Sequence, residues 1–379
     1  MSKNTRISHS QVNMYSTCAR KYKFHYIDRL RSKYLSGALL FGGALDIALN
    51  DLLKNKDTDP KLYNIEDTIR KFDKSMRYNF INDQGYYIPE CTLVVYADKD
   101  FDAELLLEED LEKYKQLEQK LGLYEHKDIT VAYNHIKDQK KLKGWVNLSE
   151  DDKKLYNMAN YLSMRRKGHI MIRDYEKKIL PKIKDVLAVQ KHLKLKNTSG
   201  DEVVMILDLI AELHNGKRYL LDNKTSSIRY TQDMVERSQQ LIGYFHAAKE
   251  EYKLDGIGFI PMYKQIHKNR IKICSQCGKD GSGGRFKKCD AETDNGRCNG
   301  EWTETISPEC EIEILLNDNI TAHAESLVLD TFDEANEGIK NQQFNPNLSA
   351  CSSPFPCPYM NKCWKGDSSE LVQLAERKR

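Results

Sequence analysis

Hydrophobic positions recur along the chain with two different periods. From Ser8 or Ser10 to about residue 27, Val12, Tyr15, Cys18, Tyr22 and Tyr26 fall three and four apart. That spacing predicts an amphipathic helix capped by one of the serines. A second apolar helix is expected over 39–49, opened by Gly42 and Gly43, whose bare backbone permits a close approach. Asp46 falls in the first turns of this helix, between apolar neighbours. Residues 51–190 are charge-rich and helical in pattern, with long apolar spacing over 102–123 and 149–189. Ser149 serves as N-cap of the latter, and Pro181 should bend or split it. A β-leaning interruption covers 86–96, where Cys91 reads as packing.

Period two takes over at 203–211 and 218–221, joined by His214-Asn215-Gly216-Lys217. Asn-Gly between apolar runs predicts a β-hairpin, which would bring Asp208 and Asp222 together across the pair. Residues 231–254 read as an amphipathic helix with Glu236, Gln240 and Tyr244 on one face. A strand at 258–264, a cysteine-bearing insertion, an alternating strand at 309–314, a helix at about 320–340 and a Pro- and Cys-rich tail follow. The 379 residues divide by pattern into 1–50, 51–190, 191–265, 266–303 and 304–379.

Composition narrows the class. With no run of about 18 apolar residues, no membrane span is expected. The N-terminal stretch lacks the apolar segment of a secretory signal, which predicts a cytoplasmic location. Paired cysteines there are more often metal ligands than disulfides. The net charge of +3 conceals segregation: residues 1–34 hold eight Lys/Arg against one acid, and 264–290 hold eight against two. Residues 301–339 hold eleven acids and no Lys or Arg. Basic patches of this kind suit a polyanion such as nucleic acid, although a scattered solvated surface would look the same.

Three constellations carry chemistry. The first is Asp208 with Asp222-Asn223-Lys224. Two carboxylates and the Asn223 main-chain carbonyl offer Mg2+ or Mn2+ the hard oxygen ligands it prefers. Lys224, two residues past Asp222, points to the same strand face, where it can position water or offset negative charge. Asp-x-Lys alone is a weak motif that a surface salt bridge would also explain. The second is Cys274-x2-Cys277-x11-Cys289-x8-Cys298 among glycines, the spacing of a four-cysteine zinc ribbon. Lys279, Arg285, Lys287, Lys288 and Arg297 give it a basic character that suits DNA, or zinc merely folds the insertion. The third is Cys351-x5-Cys357-x5-Cys363. These are three thiols where a cubane iron–sulfur cluster needs four; zinc or free thiols are the alternatives. Cys18 by itself reads as a buried structural cysteine.

Taken together, Ser8-x-Ser10, Tyr15-x-x-Cys18, Tyr22-x-Phe24, Asp208, Asp222-x-Lys224 and Gln240-x-x-x-Tyr244 resemble the PD-(D/E)xK nuclease superfamily. Within it they are most similar to the RecB-like exonuclease branch, which includes the CRISPR-associated adaptation nucleases and the AddB nuclease. The resemblance implies an α/β fold: a restriction-endonuclease-like core of a mixed central sheet flanked by helices, with a helical insertion and a zinc-ribbon insertion. It assigns Asp208, Asp222 and Lys224 to the metal and lysine positions, and Gln240 with Tyr244 to orienting DNA and the lysine. The family's Gly-x-x-x-His metal ligand is replaced here by Gly42 to Asp46, an aspartate that can still hold a hard cation. Iron–sulfur members place the fourth cluster cysteine on the opening helix, where Cys18 stands, which implies a [4Fe–4S] cluster on Cys18, Cys351, Cys357 and Cys363. The implied activity is a Mg2+- or Mn2+-dependent DNA exonuclease preferring single-stranded DNA or free ends. It would act in bacterial or phage recombination, repair or replication, alongside proteins of those pathways. A non-catalytic zinc and iron–sulfur DNA-binding protein with a degenerate core is the competing expectation.

Overall fold

A computed structural model describes residues 6–57, 64–80, 93–95, 100–122, 128–196, 200–281, 288–293, 296–352 and 356–374. Strand β1 (Arg6–Ser8) leads into α1 (His9–Thr17), α2 (Ala19–Tyr22) and a π-helical turn at Lys23–Ile27. After β2 (Leu30–Ser32) and β3 (Tyr34–Ser36) comes α3 (Gly37–Lys54). There follow α4 (Ile65–Phe80), β4 (Leu93–Val95), α5 (Glu108–Lys120), α6 (Ile129–Lys143) and α7 (Glu150–Lys178). The next elements are β5 (Ile183–Lys196), β6 (Glu202–Leu213), β7 (Arg218–Ser226), α8 (Gln232–Glu236), α9 (Gln239–Tyr252) and β8 (Gly256–Cys274). Short strands β9 (Glu292–Thr293) and β10 (Gly296–Arg297) precede β11 (Trp302–Ile312) and β12 (Leu315–Asn317). The last elements are α10 (Ala322–Lys340), α11 (Met360–Lys365) and β13 (Leu371–Gln373).

A seven-stranded mixed sheet is the centre, ordered β1-β6-β7-β8-β11 with β5 added on β6 and β12 on β8. β1 and β6 run parallel, as do β7 and β8, while β5, β6 and β7 form antiparallel pairs. Alternate residues of the central strands feed two cores on opposite faces. Leu209, Ala211, Tyr219 and Leu221 join the core built with α3, α4, α6 and α7. Ile210 and Leu220 join the one built with α1, α9 and α10. Helix ends follow local chemistry. Ser149 caps α7 through Asp152 N–H, three acids fill its first turn, and Lys177 and Lys178 close the last, matching the helix dipole. This is the mixed α/β architecture expected of a restriction-endonuclease-like fold.

Several expectations need correction. The helix expected over 149–189 ends at Lys178; Leu180–Lys182, with its proline, turns the chain, and 183–196 is a strand paired along β6. Residues 231–254 split into α8 and α9 because the Ser238 hydroxyl accepts from Leu241 N–H and starts a fresh helix. Glu236, left exposed at the end of α8, therefore does not share a helix with Gln240 and Tyr244. The opening helix breaks at Cys18, whose extended backbone (φ −164°, ψ 107°) separates α1 from α2. Asp46 lies in the middle of α3, which starts at Gly37 under the Ser36 cap. The 102–123 helix is a 3-10 turn at Ala103–Leu105 followed by α5. Of the β-leaning 86–96 stretch, β4 pairs with β3, and Cys91 lies outside the described residues.

Candidate active site

The register of β6 creates the site. Both β1 and β7 pair with β6, while β5 pairs along almost its whole length, so β1 and β7 share the remaining edge. β1 covers 202–204 and β7 covers 209–212, which leaves 205–208 without a strand partner on that side. The β6–β7 ladder stops at Leu209↔Leu221, and the next residues outward are Asp208 and Asp222. The hairpin read from Asn215-Gly216 thus delivers the two acids opposite each other, at the mouth of a gap in the sheet.

Around that gap the side chains converge. Asp222 is 4% exposed. Lys224 forms an ion pair with it, yet the buried Asp222 Oδ2 accepts no aligned hydrogen bond. Lys224 Nζ also donates to Gln240 Oε1 at 3.4 Å and lies 5.7 Å from the Phe259 ring centroid. Gln240 in turn hydrogen-bonds the Tyr244 oxygen, which accepts from Ile206 N–H within the uncovered stretch of β6. Burial first, with the acids adding to it, pushes the Tyr244 phenol up to about 12, so it stays neutral. Asn223, between the two charged residues, accepts at Oδ1 from the fully buried Tyr175 hydroxyl of α7 at 3.1 Å.

The carboxylates report the electrostatics. Burial, then the neighbouring Asp222 carboxyl, pushes Asp208 up to about 9; Asp46 adds to the rise and Lys224 opposes it. Asp46 is also raised, first by burial and then by the Asp222 charge, against a hydrogen bond from Asn50 one turn along α3. Burial works against the Lys224 ammonium, but Asp222 and Asp208 outweigh it and hold it above its ordinary range. Three acids facing one lysine in a half-buried place raise Asp208 and Asp46 together, so the metal-free site retains a proton that a cation would displace. Hard oxygen donors of this kind suit a divalent cation, and Asp46, Asp208 and Asp222 are the side chains that could hold it, although their carboxylate oxygens do not all lie within 4.8 Å of one another. Of the two opening glycines, Gly42 stands where a Cβ would sit 3.4 Å from Thr225 Oγ1 on β7, while Gly43 faces open space.

Four residues at the site carried no sequence signal. His9, directly after β1, sets its ring edge-on to Tyr244 at 5.4 Å; burial, then Lys224, lowers it to about 4 despite Asp222. Tyr230 lies in the field of Lys224 and Asp222. Tyr175 reaches Asn223 from α7, and Gln190 Nε2 donates to Asp208 Oδ1 at 3.3 Å from β5. His9, Tyr175 and Gln190 arrive by tertiary packing from a helix or a strand, and Tyr230 from the loop between β7 and α8, none with a local pattern that marks it.

The cysteines fall into two groups. Cys274, Cys277, Cys289 and Cys298 place their sulfurs within 4.8 Å of one another, with 3.6 Å between Cys274 and Cys298 and 3.5 Å between Cys277 and Cys289. Their tetrad sits at the end of the β8–β11 ladder, which runs from Ile312↔Met262, past a register shift before Cys310↔Ile266, out to Trp302↔Cys274. Gly300 approaches so closely that a Cβ there would lie 2.4 Å from Cys274 Sγ. The tetrad fits a tetrahedral metal ion. Of its basic residues, Arg285 and Lys287 lie outside the described residues; Lys279 pairs with Asp290. The second group, Cys18, Cys351, Cys357 and Cys363, lies where the two ends of the chain meet, but its sulfurs do not all come within 4.8 Å of one another as those of the tetrad do. Cys18 Sγ accepts from Asn347 N–H at 3.3 Å, and Cys357 N–H donates to Cys351 O at 2.8 Å. Burial, and then the proximity of Cys18 and Cys351, raises the Cys357 thiol. Cys357 and Cys363 pack on Phe24, Tyr359 and Leu371, and β13 pairs with β2 beside them. Cys310 is a buried strand residue in contact with Tyr263 O, apart from both groups.

No curated relative matches the chain. Among solved structures, the crystal structure of SSO0001 is similar at 12% identity and a TM-score of 0.26, over 66% of this chain and 92% of that one. The sequence model of the PD-(D/E)XK nuclease superfamily matches residues 6–364, a span that includes the helices of 51–190 and the cysteine tetrad. With that match over nearly its whole length, the chain belongs to the PD-(D/E)XK nuclease superfamily.

Proposed function

We propose that the chain is a Mg2+- or Mn2+-dependent deoxyribonuclease of the RecB-like kind, acting from the ends of DNA and preferring single strands. The observation that carries this reading is the convergence of Asp208, Asp222, Lys224 and Gln240 at the uncovered edge of β6. A divalent cation supplies, when bound, the charge that activates water and stabilises phosphate oxygens. Asp46, Asp208 and Asp222, with the Asn223 carbonyl, are the residues that would hold it. Lys224 faces the developing negative charge, and Gln240 keeps its ammonium aligned. Tyr244, neutral and anchored to Ile206, braces Gln240. End and single-strand preference, and a place in recombination, repair or replication, rest on the resemblance to the RecB-like branch. Linear end-labelled single strands should be degraded with either metal, while circular and end-blocked single strands survive. Equal cleavage of circular DNA would make it an endonuclease, and inertness on every substrate would favour the non-catalytic DNA-binding alternative.

The same reading assigns zinc to Cys274, Cys277, Cys289 and Cys298, and a [4Fe–4S] cluster to Cys18, Cys351, Cys357 and Cys363. Both would be structural: the first folds an excursion too small for its own core, the second clamps the chain ends. Anaerobically purified protein should hold about one zinc and about four irons per chain, by the ligand counts of such sites. Cys289→Ser should lose the zinc alone and Cys357→Ser the iron with its broad visible absorbance. Iron-free protein, or loss of both metals in either variant, would refute the assignment.

A further inference from the structure

Gln190 combines three features that no strand residue needs for pairing alone. Its backbone is left-handed, with φ +53°, a conformation that favours glycine and strains a residue with a Cβ. Its neighbours Val189 and Lys191 pair with Leu209 and Leu207, yet the ladder skips the step between, where Gln190 faces Asp208. And its side-chain amide donates to Asp208 Oδ1 at 3.3 Å. The ladder on the other side of β6 also stops one residue short of Asp208, at Leu209↔Leu221. Asp208 is therefore released from backbone pairing on both sides, and the side chain that reaches across to it comes from the one described position of β5 with a left-handed backbone.

We infer that Gln190 is a positioning residue for Asp208: its left-handed turn lifts the amide out of the ladder to fix one carboxylate oxygen so that the other would face the cation. A strained conformation persists where the surroundings over-determine it, and strain of this sort gathers at functional sites. Here the turn does two things at once. It opens the sheet at Asp208, and it supplies the neutral donor that holds one carboxylate oxygen while leaving the other for a ligand. A carboxylate held by an outer hydrogen bond binds metal more tightly than a free rotor, and loss of such a partner typically lowers affinity or activity about 10- to 100-fold. Lys224 and Asp222 hold each other by charge; among the described residues, Gln190 is the neutral side chain that holds Asp208.

The inference rests on Asp208 being a metal ligand, and the test separates the two. Mn2+ binding is measured by electron paramagnetic resonance without DNA, alongside melting temperature, for wild type, Gln190→Gly, Gln190→Ala and Asp208→Ala. Glycine keeps the left-handed backbone without strain, so Gln190→Gly should melt at or above the wild-type temperature while binding Mn2+ about tenfold more weakly. Gln190→Ala should lose the same affinity and also melt lower. The metal concentration for half-maximal cleavage should rise in step, with a smaller change in KM for DNA. If Gln190→Gly binds Mn2+ as wild type while Asp208→Ala does not, the positioning role is wrong and the active site stands. If Asp208→Ala also binds as wild type, the metal-site reading itself fails.

Discussion

Lys224→Ala should lower the turnover of metal-supported DNA cleavage by about 10²–10³-fold while leaving equilibrium binding of the cation as tight as before or tighter. Both halves come from the same geometry. Lys224 is the cation held against Asp222, within the fields of Asp208 and Asp46. Removing it takes positive charge away from a site that binds a positive ion, so the carboxylates attract metal more strongly. It also removes the group placed to meet charge that develops only during cleavage, and an interaction of that type acts on turnover rather than on ground-state binding. Gln240→Ala should give a weaker version of the same pattern, because it only aligns the ammonium. Single-turnover cleavage and calorimetric Mn2+ binding on the same preparations check this. A variant that loses metal affinity and activity together would show that Lys224 supports the fold of the site, not its chemistry.

The second large effect is a proton. Asp208 is pushed up to about 9 by burial and by Asp222, against an ordinary 3.8. The neutral acid is thus the form the metal-free fold favours. A folded pKa above the unfolded one means the folded state holds the extra proton between those values, so stability falls as pH rises across that window. The contribution is complete below about pH 4 and gone above about pH 9. A divalent cation competes for the same oxygens, so at neutral pH its binding should release about one proton. Asp208→Asn should abolish the release, flatten the pH slope of the metal-free protein, and melt above wild type at pH 8 but not at pH 4. Calorimetry in two buffers of different protonation enthalpy measures the release; a binding heat independent of buffer would contradict it.

Much of this site can be read in the chain because it depends on local rules. Asn215-Gly216 sets the hairpin, the hairpin sets the β6–β7 register, and the register sets Asp208 against Asp222. Strand alternation then turns Lys224 to the Asp222 side, and helical spacing places Gln240 one turn before Tyr244. The parts that escape such reading depend on what lies beside what. Leu193-Lys194-Leu195-Lys196 alternates like a strand, but the helical spacing before Pro181 masks the start of β5. No pattern announces that β1 and β7 share one edge of β6, and that arrangement creates the gap, brings His9 to Tyr244 and frees Ile206 N–H. Tyr175 looks like any aromatic on a long helix until α7 folds onto the sheet and its hydroxyl finds Asn223. The helix predicted through Ser238 failed for a different reason, since a serine inside an amphipathic run caps as readily as it continues.

The central claim is that the acids at the sheet gap run metal-dependent phosphodiester cleavage, and Asp208→Ala tests it most directly. Cleavage of linear end-labelled single-stranded DNA would be followed for wild type and variant across a Mg2+ and Mn2+ titration, with chelator as blank and circular dichroism as a check on folding. Wild type should cut only with metal, and the folded variant should be slower by about 10²-fold or more at every metal concentration. A folded Asp208→Ala protein that cuts at the wild-type rate would place the active site elsewhere in the chain.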